Sequence, residues 1–251
     1  MSSALRKLRH RSTGLGKNPD PPVLIIRPHK QEGYTCEATS QFLAKAFQRG
    51  MADYLPIASM TPDVARNNGI DVFLHSPHHR KKTHIFFLDD DSPPTSDFVL
   101  DRLLSLNKPV VAGVTPIKRI VGDKKIILYW SPIIKNEDGK LDNIGIDEMP
   151  SAPFVAHRTG GTCLLVRRDV LEKIKPPYQK FEFNERQTKL VISEDMFFID
   201  KITAAGFEIW VDPQSVCHHF HTLDILDMFE IAMQAKQMGY EQAEKDYKIQ
   251  I

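Results

Sequence analysis

A short apolar run followed by three aspartates constrains this chain more than any other feature. Residues 85–88 are Ile-Phe-Phe-Leu, and Asp89, Asp90 and Asp91 follow directly. Four consecutive apolar residues are typical of a strand that is covered on both faces. Three adjacent carboxylates repel one another unless a cation balances them, and Mg²⁺ or Mn²⁺ prefers oxygen ligands. A solvated acidic turn is the alternative, but ligands of open α/β sheets bind at this end of a strand.

Strand and helix patterns alternate along the first half of the chain. Short apolar runs predict strands, and helical spacing or capping signals predict helices between them. The predicted strands are 23–26, 54–60, 85–88 and 109–114, and the predicted helices are 38–47, one starting at Thr61-Pro62, and 96–106. This order predicts an α/β fold with a mainly parallel sheet and helices on both faces.

The second half of the chain has a different pattern. An Asn-Glu-Asp-Gly turn separates two runs that we expect to pair as antiparallel strands. The predicted strands are 125–130, 140–146, 162–166 and 207–211, and the predicted helices are 169–174 and 193–205, the latter closed by Gly206. The polar stretch 178–191 is long for a loop in a compact domain, which predicts a mobile lid or a binding loop.

Composition and charge narrow the class of protein. A chain of 251 residues with 41% hydrophobic content can bury a full core. Its 33 basic and 32 acidic residues give a net charge of +1, so the overall charge does not indicate nucleic-acid binding. Three widely spaced cysteines without a CxxC pair suit a reducing compartment. Neither a membrane span nor a signal-peptide core is visible, so we expect a soluble cytoplasmic protein without membrane contacts.

Three segments are expected along the chain. Residues 1–19 are basic and have no hydrophobic period, which predicts a disordered tail. Residues 20–221 contain all the strand patterns and form the expected domain. Residues 222–251 have a helical pattern and are expected to form a C-terminal extension that packs on the sheet or mediates oligomerisation, so the oligomeric state stays open.

Acidic and glycine residues of the second half are further candidates for a site. Glu194 and Asp195 open the helix predicted at 193–205, where acids stabilise a helix N-terminus or one of them serves as a general base. Gly160 and Gly161 precede a predicted strand, where they serve a turn or let a ligand approach the backbone closely.

Three histidines lie close together near the end of the predicted domain. His218, His219 and His221 follow the last predicted strand. If that strand continued, His219 and His221 would share a face and His218 would point the opposite way. Three histidines in four residues indicate that at least one binds a metal ion.

The order of these motifs resembles the GT-A glycosyltransferases, and most closely their large inverting family, which includes cellulose and chitin synthases. The similarity extends over about 20–221 and comprises motifs in a fixed order. They are a strand ending in Pro28, Ala65-Arg66-Asn67, Phe-Leu-Asp-Asp-Asp before Pro-Pro, Gly160-Gly161-Thr162, Ser193-Glu194-Asp195-Met196, and a late histidine. The implied fold is GT-A: a Rossmann-like nucleotide-binding half joined to a smaller antiparallel acceptor-binding half.

The resemblance implies roles for the charged residues. Asp91 corresponds to the carboxylate that binds Mn²⁺ or Mg²⁺, and Asp89 lies near the ribose and the metal shell. The late histidine completes the metal site; His219 is favoured, with His221 and His218 as rivals. The general base comes from the Glu-Asp element, in which Asp195 matches best and Glu194 is its neighbour.

The resemblance also implies a set of contacts to the nucleotide-sugar. They are Pro28, His29, Lys30, Glu32, Arg66, Asp89, Asp90, Gly160 and Gly161. The family's usual Thr-Tyr-Asn after the first strand is here His29-Lys30-Gln31, which leaves the nucleobase pocket undefined. A Gln-x-x-Arg-Trp element of processive synthases is missing from the sequence, which favours transfer of a single sugar.

The expected activity is metal-dependent transfer of one sugar from a nucleotide-sugar, foremost a UDP-sugar, to an acceptor hydroxyl. A nucleotidyltransferase also uses strand-end carboxylates and a divalent ion, but it needs a glycine-rich basic loop that 27–33 matches poorly. A non-catalytic binding module is the third interpretation, and the intact carboxylates argue against it. The acceptor stays open between a saccharide, a small molecule and a modified base in DNA, since the basic tail and the basic stretch 78–82 suit phosphates.

Overall fold

The computed structural model describes residues 21–29, 36–58, 61–121, 125–136, 138–220, 232–233 and 236–237. The expected basic tail and most of the expected C-terminal extension therefore lie outside the described residues. The same holds for Lys30, Glu32 and His221. Among the described helices, none is both long enough and apolar enough to cross a membrane.

Every strand and helix predicted within 20–221 is present, and four further strands lie at 116–121, 154–156, 182–183 and 190–192. The strands are β1 (Val23–His29), β2 (Ala52–Ala58), β3 (His84–Phe87), β4 (Val110–Val114), β5 (Pro116–Val121), β6 (Lys125–Lys135), β7 (Leu141–Gly145), β8 (Phe154–Ala156), β9 (Leu164–Arg167), β10 (Glu182–Phe183), β11 (Leu190–Ile192) and β12 (Ile209–Val216). The α-helices are α1 (Glu37–Gln48), α2 (Pro62–His75), α3 (Val99–Ser105), α4 (Arg168–Lys173) and α5 (Glu194–Ala204).

A seven-stranded sheet forms the centre of the fold, in the order β2-β1-β3-β9-β4-β12-β8. Strand β1 pairs in parallel with β2 and β3, and β12 pairs in parallel with β4. Strand β9 lies antiparallel between β3 and β4, and β8 is antiparallel to β12. Strands β1 to β4 and β12 therefore run in one direction, which confirms the prediction of an α/β fold with a mostly parallel sheet.

Strand β3 is covered on both faces, as its apolar run predicts. Ile85 and Phe87 belong to one hydrophobic cluster, together with residues of α2 and α5. Phe86 and Leu88 belong to a second cluster, with residues of α1 and α3. All four side chains are fully buried. Because successive side chains of a strand point to opposite faces, the run connects two cores and places the following aspartates at the sheet edge.

A second, three-stranded antiparallel sheet of β5, β6 and β7 continues from β4 through Thr115. This confirms the prediction of antiparallel strands around the Asn-Glu-Asp-Gly turn, although β6 extends beyond the predicted end at Trp130 to Lys135. Gly206 has a φ of 88° just after α5, which confirms it as the residue that ends this helix.

Two predictions about the later part of the chain were wrong. The stretch 178–191, predicted to be a loop, contains the hairpin of β10 and β11, whose tip is closed by hydrogen bonds of its own; its role as a lid or binding loop stays a prediction. The strand expected to stop before Asp212 continues to Val216. Asp212 is tolerated inside the sheet because its carboxylate accepts hydrogen bonds from Arg102 at 3.0 and 3.1 Å and from the Ser215 hydroxyl at 2.6 Å.

We predict that Asp212→Asn lowers the free energy of unfolding by about 1–3 kcal/mol at pH 7, because the buried carboxylate loses hydrogen bonds to a charged partner. Burial raises the Asp212 pKa, but bonds from Arg102 and Ser215 outweigh it and leave the pKa below its usual value. The difference between wild type and variant should shrink as the pH falls below about 3.9 and vanish below the folded-state pKa. Urea denaturation of both proteins at a series of pH values from 7 downward measures this difference in the free energy of unfolding.

The exposed pair of Arg167 and Asp169 provides the control for this experiment. Asp169→Asn should cost less than about 1 kcal/mol, because solvent screens exposed ion pairs. Equal losses in the two variants would contradict the structural role given to Asp212.

Candidate functional site

The candidate site lies at the carboxyl ends of the parallel strands. The aspartate triplet follows β3, and four other segments bring polar side chains to the same edge. These segments are α2, the turn before β9, the N-terminus of α5 and the residues after β12, which carry Arg66, Gly161, Glu194 and His219 respectively. Ligands of α/β proteins bind at this edge of the sheet.

Arg66 is the centre of the site and is only 3% exposed. Its Nη2 atom donates to both carboxylate oxygens of Asp89, at 2.7 and 2.9 Å. Its Nη1 atom donates to Glu194 Oε1 at 3.1 Å and to Gln179 Oε1 at 3.3 Å. One guanidinium therefore connects α2, the end of β3, the N-terminus of α5 and the segment that precedes the β10–β11 hairpin.

Burial and charge act in opposite directions on the pKa values of this cluster. Burial lowers the pKa of Arg66, but the attraction of Asp89, Glu194 and Asp195 outweighs burial and raises the pKa overall. Burial raises the pKa of Glu194, and the charge of Asp195 raises it further against the opposing effect of Arg66. Three carboxyl groups thus surround one guanidinium, whose charge offsets part of their mutual repulsion.

Asp195 is oriented by three hydrogen-bond donors. Its Oδ1 atom accepts from the Ser193 hydroxyl and from the Met196 amide at 2.8 Å, and its Oδ2 atom accepts from the Gly161 amide at 3.3 Å. A Cβ atom at Gly161 would lie 2.7 Å from Arg66 Nη1 and 3.0 Å from Asp195 Cβ. The close approach predicted for the glycine pair is thus made, at Gly161, by side chains of the protein itself.

Asp91 and His219 face each other. Asp91 Oδ2 lies 4.0 Å from His219 Nε2. His219 Nδ1 lies 3.0 Å from the carbonyl oxygen of Pro116, the first residue of β5. Because a carbonyl oxygen only accepts hydrogen bonds, Nδ1 carries a proton, and Nε2 is the ring nitrogen that faces Asp91. Metal-binding histidines are commonly oriented by such a carbonyl.

Asp90 has different neighbours from the other two aspartates. Its carboxylate lies 3.2 Å from Arg27 Nε, and its carbonyl oxygen accepts a hydrogen bond from the Thr39 hydroxyl at 2.8 Å. Arg27 belongs to β1 and Thr39 to α1. Asp90 therefore fixes the end of β3 to the neighbouring strand and to the helix that covers it.

Three further polar residues, Asn67, Gln179 and Thr162, complete the cluster. Asn67 Oδ1 accepts from the amides of Tyr178 and Gln179 at 2.9 and 3.1 Å, and its Nδ2 atom donates to the Gln179 carbonyl at 2.7 Å. Gln179 is fully buried against Arg66, and its Nε2 atom has no hydrogen-bond partner within the described chain. The Thr162 hydroxyl oxygen accepts a hydrogen bond from the Asp89 backbone amide at 3.1 Å. Asn67 and Thr162 lie in the sequence motifs at 65–67 and 160–162, whereas no sequence signal indicated Gln179.

The remaining predicted site residues lie around this centre. Pro28 and His29 end β1, opposite Ile57 and Ala58 of β2. A Cβ atom at Gly160 would lie 3.9 Å from Asp195 Oδ2, so this glycine borders the site without crowding it. The face argument for the three histidines does not apply, because β12 ends at Val216.

Comparison with known proteins yields similarity in structure alone. Neither a family model nor a curated protein sequence matches the chain. A197 from STIV is similar with a TM-score of 0.53 and 19% identity, over 80% of this chain and 86% of that protein. GalNAc-T7, solved with UDP, GalNAc and Mn²⁺, has a TM-score of 0.48 and 10% identity, over 80% of this chain and 43% of its own. The likeness to A197 concerns the fold alone.

We predict that Gly161→Ala lowers the free energy of unfolding by about 1–3 kcal/mol, because the new methyl group must displace Arg66 or Asp195. Gly160→Ala is the matched control, since the contacts of its Cβ atom are no closer than 3.7 Å. Thermal denaturation of both variants measures the difference. A Gly161→Ala protein as stable as the Gly160→Ala protein would contradict the tight contact with Arg66.

Proposed function

We propose that this protein is a metal-dependent glycosyltransferase of the GT-A type, which moves one sugar from a nucleotide-sugar, foremost a UDP-sugar, to an acceptor hydroxyl with inversion. The observation that carries the proposal is the meeting of Asp91 and His219 at 4.0 Å, with the histidine oriented by the Pro116 carbonyl. The resemblance assigns the ion to Asp91, with Asp89 near the metal shell, and favours His219 over His221 and His218 as the histidine ligand. They come from distant parts of the sequence and meet at the ligand-binding edge of the sheet.

The pair fits a divalent ion. Two atoms that each bind an ion at about 2.1 Å can lie at most about 4.2 Å apart, and the observed separation is within this limit. The carboxylate suits Mn²⁺ or Mg²⁺, and the imidazole nitrogen favours Mn²⁺ of the two. Within the described residues no group of three or more acidic, histidine or cysteine side chains could hold a metal. Asp91 and His219 would therefore hold the ion jointly with the donor diphosphate.

The bound ion would neutralise the charge that develops on the leaving diphosphate. Arg66 has a different task in this proposal, because its guanidinium already binds Asp89 and Glu194. We assign Arg66 to orienting these carboxylates rather than to direct contact with the diphosphate. Asp89, with both oxygens bound to Arg66, is assigned to the edge of the metal shell and to the donor ribose.

Asp195 is proposed as the general base. It is partly exposed, it is oriented by three donors, and a carboxylate can still accept a further proton-bearing group. Asp195 takes the proton of the acceptor hydroxyl while that oxygen attacks the anomeric carbon and the bond to the diphosphate breaks. Glu194 is 9% exposed and bound to Arg66, so it is less accessible to an acceptor.

The experiment that tests the function is incubation of the purified protein with UDP-sugars and Mn²⁺. Release of UDP without an acceptor measures transfer to water, and mass spectrometry of acceptor pools identifies the product. Saccharides, small molecules and DNA with hydroxylated bases are the acceptor classes to compare. The proposal would be contradicted if no common UDP-sugar gave either UDP release or a glycosylated product.

We predict that Asp91→Asn abolishes Mn²⁺-dependent UDP release and leaves the melting temperature nearly unchanged. The amide keeps the shape of the side chain but loses the charge that holds the ion. Asp97→Asn is the control, because Asp97 is an exposed aspartate paired with Lys45 at 2.8 Å. Unchanged Mn²⁺ dependence in the Asp91→Asn protein would refute the assignment of Asp91.

We predict that Asp195→Asn lowers the rate of sugar transfer by about two to four orders of magnitude, the range expected for loss of a positioned base. Affinity for UDP and Mn²⁺, measured by calorimetry, should persist. Glu194→Gln should reduce transfer less but lower stability by about 1–3 kcal/mol, because it leaves Arg66 with one charged partner fewer. Similar small losses of transfer in both variants would mean that the base lies elsewhere, with Glu182 and Glu185 as the next candidates.

A further inference from the structure

The β10–β11 hairpin exposes large apolar side chains next to the candidate site. Phe183, Leu190 and Val191 are 46%, 44% and 63% exposed. Exposed apolar groups that lie together commonly mark a surface that binds a ligand or a partner. We refer to these three side chains as the hairpin patch.

An irregularity in strand pairing brings the patch together. Glu182 pairs with Ile192, but Phe183 pairs with Leu190, so the register shifts by one residue. Val191 is the additional residue, and both Leu190 and Val191 stand opposite Phe183. Bulges of this kind re-aim side chains and are frequent next to active sites.

Hydrogen bonds within the hairpin fix the shape of its tip. At its tip, Asn184 Oδ1 accepts from the amides of Thr188 at 2.8 Å and Lys189 at 3.2 Å, and the Asn184 amide donates to the Lys189 carbonyl at 2.9 Å. A two-stranded ribbon is nevertheless only marginally stable in water unless something covers it. The hairpin patch is therefore a preformed surface that would be stabilised by a bound molecule.

Both ends of the hairpin are held near the proposed general base Asp195. Arg66 binds Gln179, which precedes the hairpin, and Glu194, which follows it. Val191 precedes the proposed base Asp195 by four residues, a stretch of chain that spans at most about 14 Å. A molecule on the patch can thus reach Asp195 if it is about as long as a substituted monosaccharide or disaccharide.

The area of the patch indicates the kind of molecule it binds. A fully buried aromatic side chain covers about 150–250 Å², so three partly exposed side chains offer a few hundred Å² at most. A stable protein–protein interface needs about 800 Å² from each partner. The patch is too small for a second copy of the chain to dimerise on it alone, and it is of the size that a small acceptor covers.

We propose that the hairpin patch binds the acceptor, and that the acceptor carries an aromatic or hydrocarbon group beside the hydroxyl that receives the sugar. This inference rests on the proposed function. Polar saccharides without such a group gain little from Phe183, Leu190 and Val191. An acceptor with an apolar group buries it on the patch and places its hydroxyl near Asp195.

The test compares aryl and methyl glycosides of the same common hexoses as probes. Saturation-transfer NMR measures their binding, and acceptor kinetics with UDP-sugar and Mn²⁺ measure their use. We expect about a tenfold preference for the aryl glycosides, from the burial of one ring. The double variant Phe183→Ser/Leu190→Ser should remove this preference through KM, whereas Phe47→Ser, at an exposed phenylalanine of α1, should keep it.

The possible results distinguish a failure of the hairpin-patch inference from a failure of the proposed transferase activity. Equal binding of aryl and methyl glycosides to the wild-type protein, or an aryl preference that survives the double variant, would overturn the inference. A dimer in sedimentation velocity that the double variant dissociates would assign the patch to a second copy and also overturn it. Aryl-selective binding that is lost in the double variant, without any UDP release by the wild-type protein, would support the patch but contradict the proposed transferase.

Discussion

The arrangement of the site depends on one buried cation, the guanidinium of Arg66. It binds Asp89 after β3, Glu194 at the start of α5 and Gln179 before the hairpin. Burying a charged group is costly unless an opposite charge and hydrogen bonds compensate it. Four hydrogen bonds from Nη1 and Nη2 compensate Arg66, although its Nε has no hydrogen-bond partner among the described residues. Arg66 and its acidic partners therefore require one another, and the segments that carry them must stay close together.

This requirement explains the conformation of the neighbouring residues. Gly161 has no side chain because Arg66 and Asp195 occupy the space where a Cβ atom would extend. Asn67, the next residue on α2, binds the backbone of 178–179 and so brings Gln179 to Arg66. Two adjacent helix residues thus fix both the charge cluster and the start of the hairpin. The same contacts therefore determine where the proposed base and the hairpin patch lie.

The sequence predicts local patterns of this structure well and its long-range pairings poorly. The apolar run before Asp89 predicts a strand covered on both faces, because that burial follows from side-chain alternation alone. The sequence does not indicate that Asp212 remains inside a strand, because this depends on Arg102, which is 110 residues away. The hairpin at 182–192 was missed for a similar reason: its strands are short, and a side chain at its tip supplies hydrogen bonds that no strand pattern reveals.

The three aspartates show how charge repulsion and function can be reconciled. Their carboxylates avoid one another by turning to different neighbours: Asp89 to Arg66, Asp90 to Arg27 and Asp91 toward His219. Two of the three charges are balanced by arginines, Asp90 by Arg27 of the neighbouring strand β1 and Asp89 by Arg66 of helix α2. Asp91 accepts a hydrogen bond from the Ser92 hydroxyl at 3.0 Å and lies 4.0 Å from His219, and its side chain is about half exposed. Asp91 is therefore the most exposed carboxylate of the triplet and the one most accessible to the proposed ion and diphosphate.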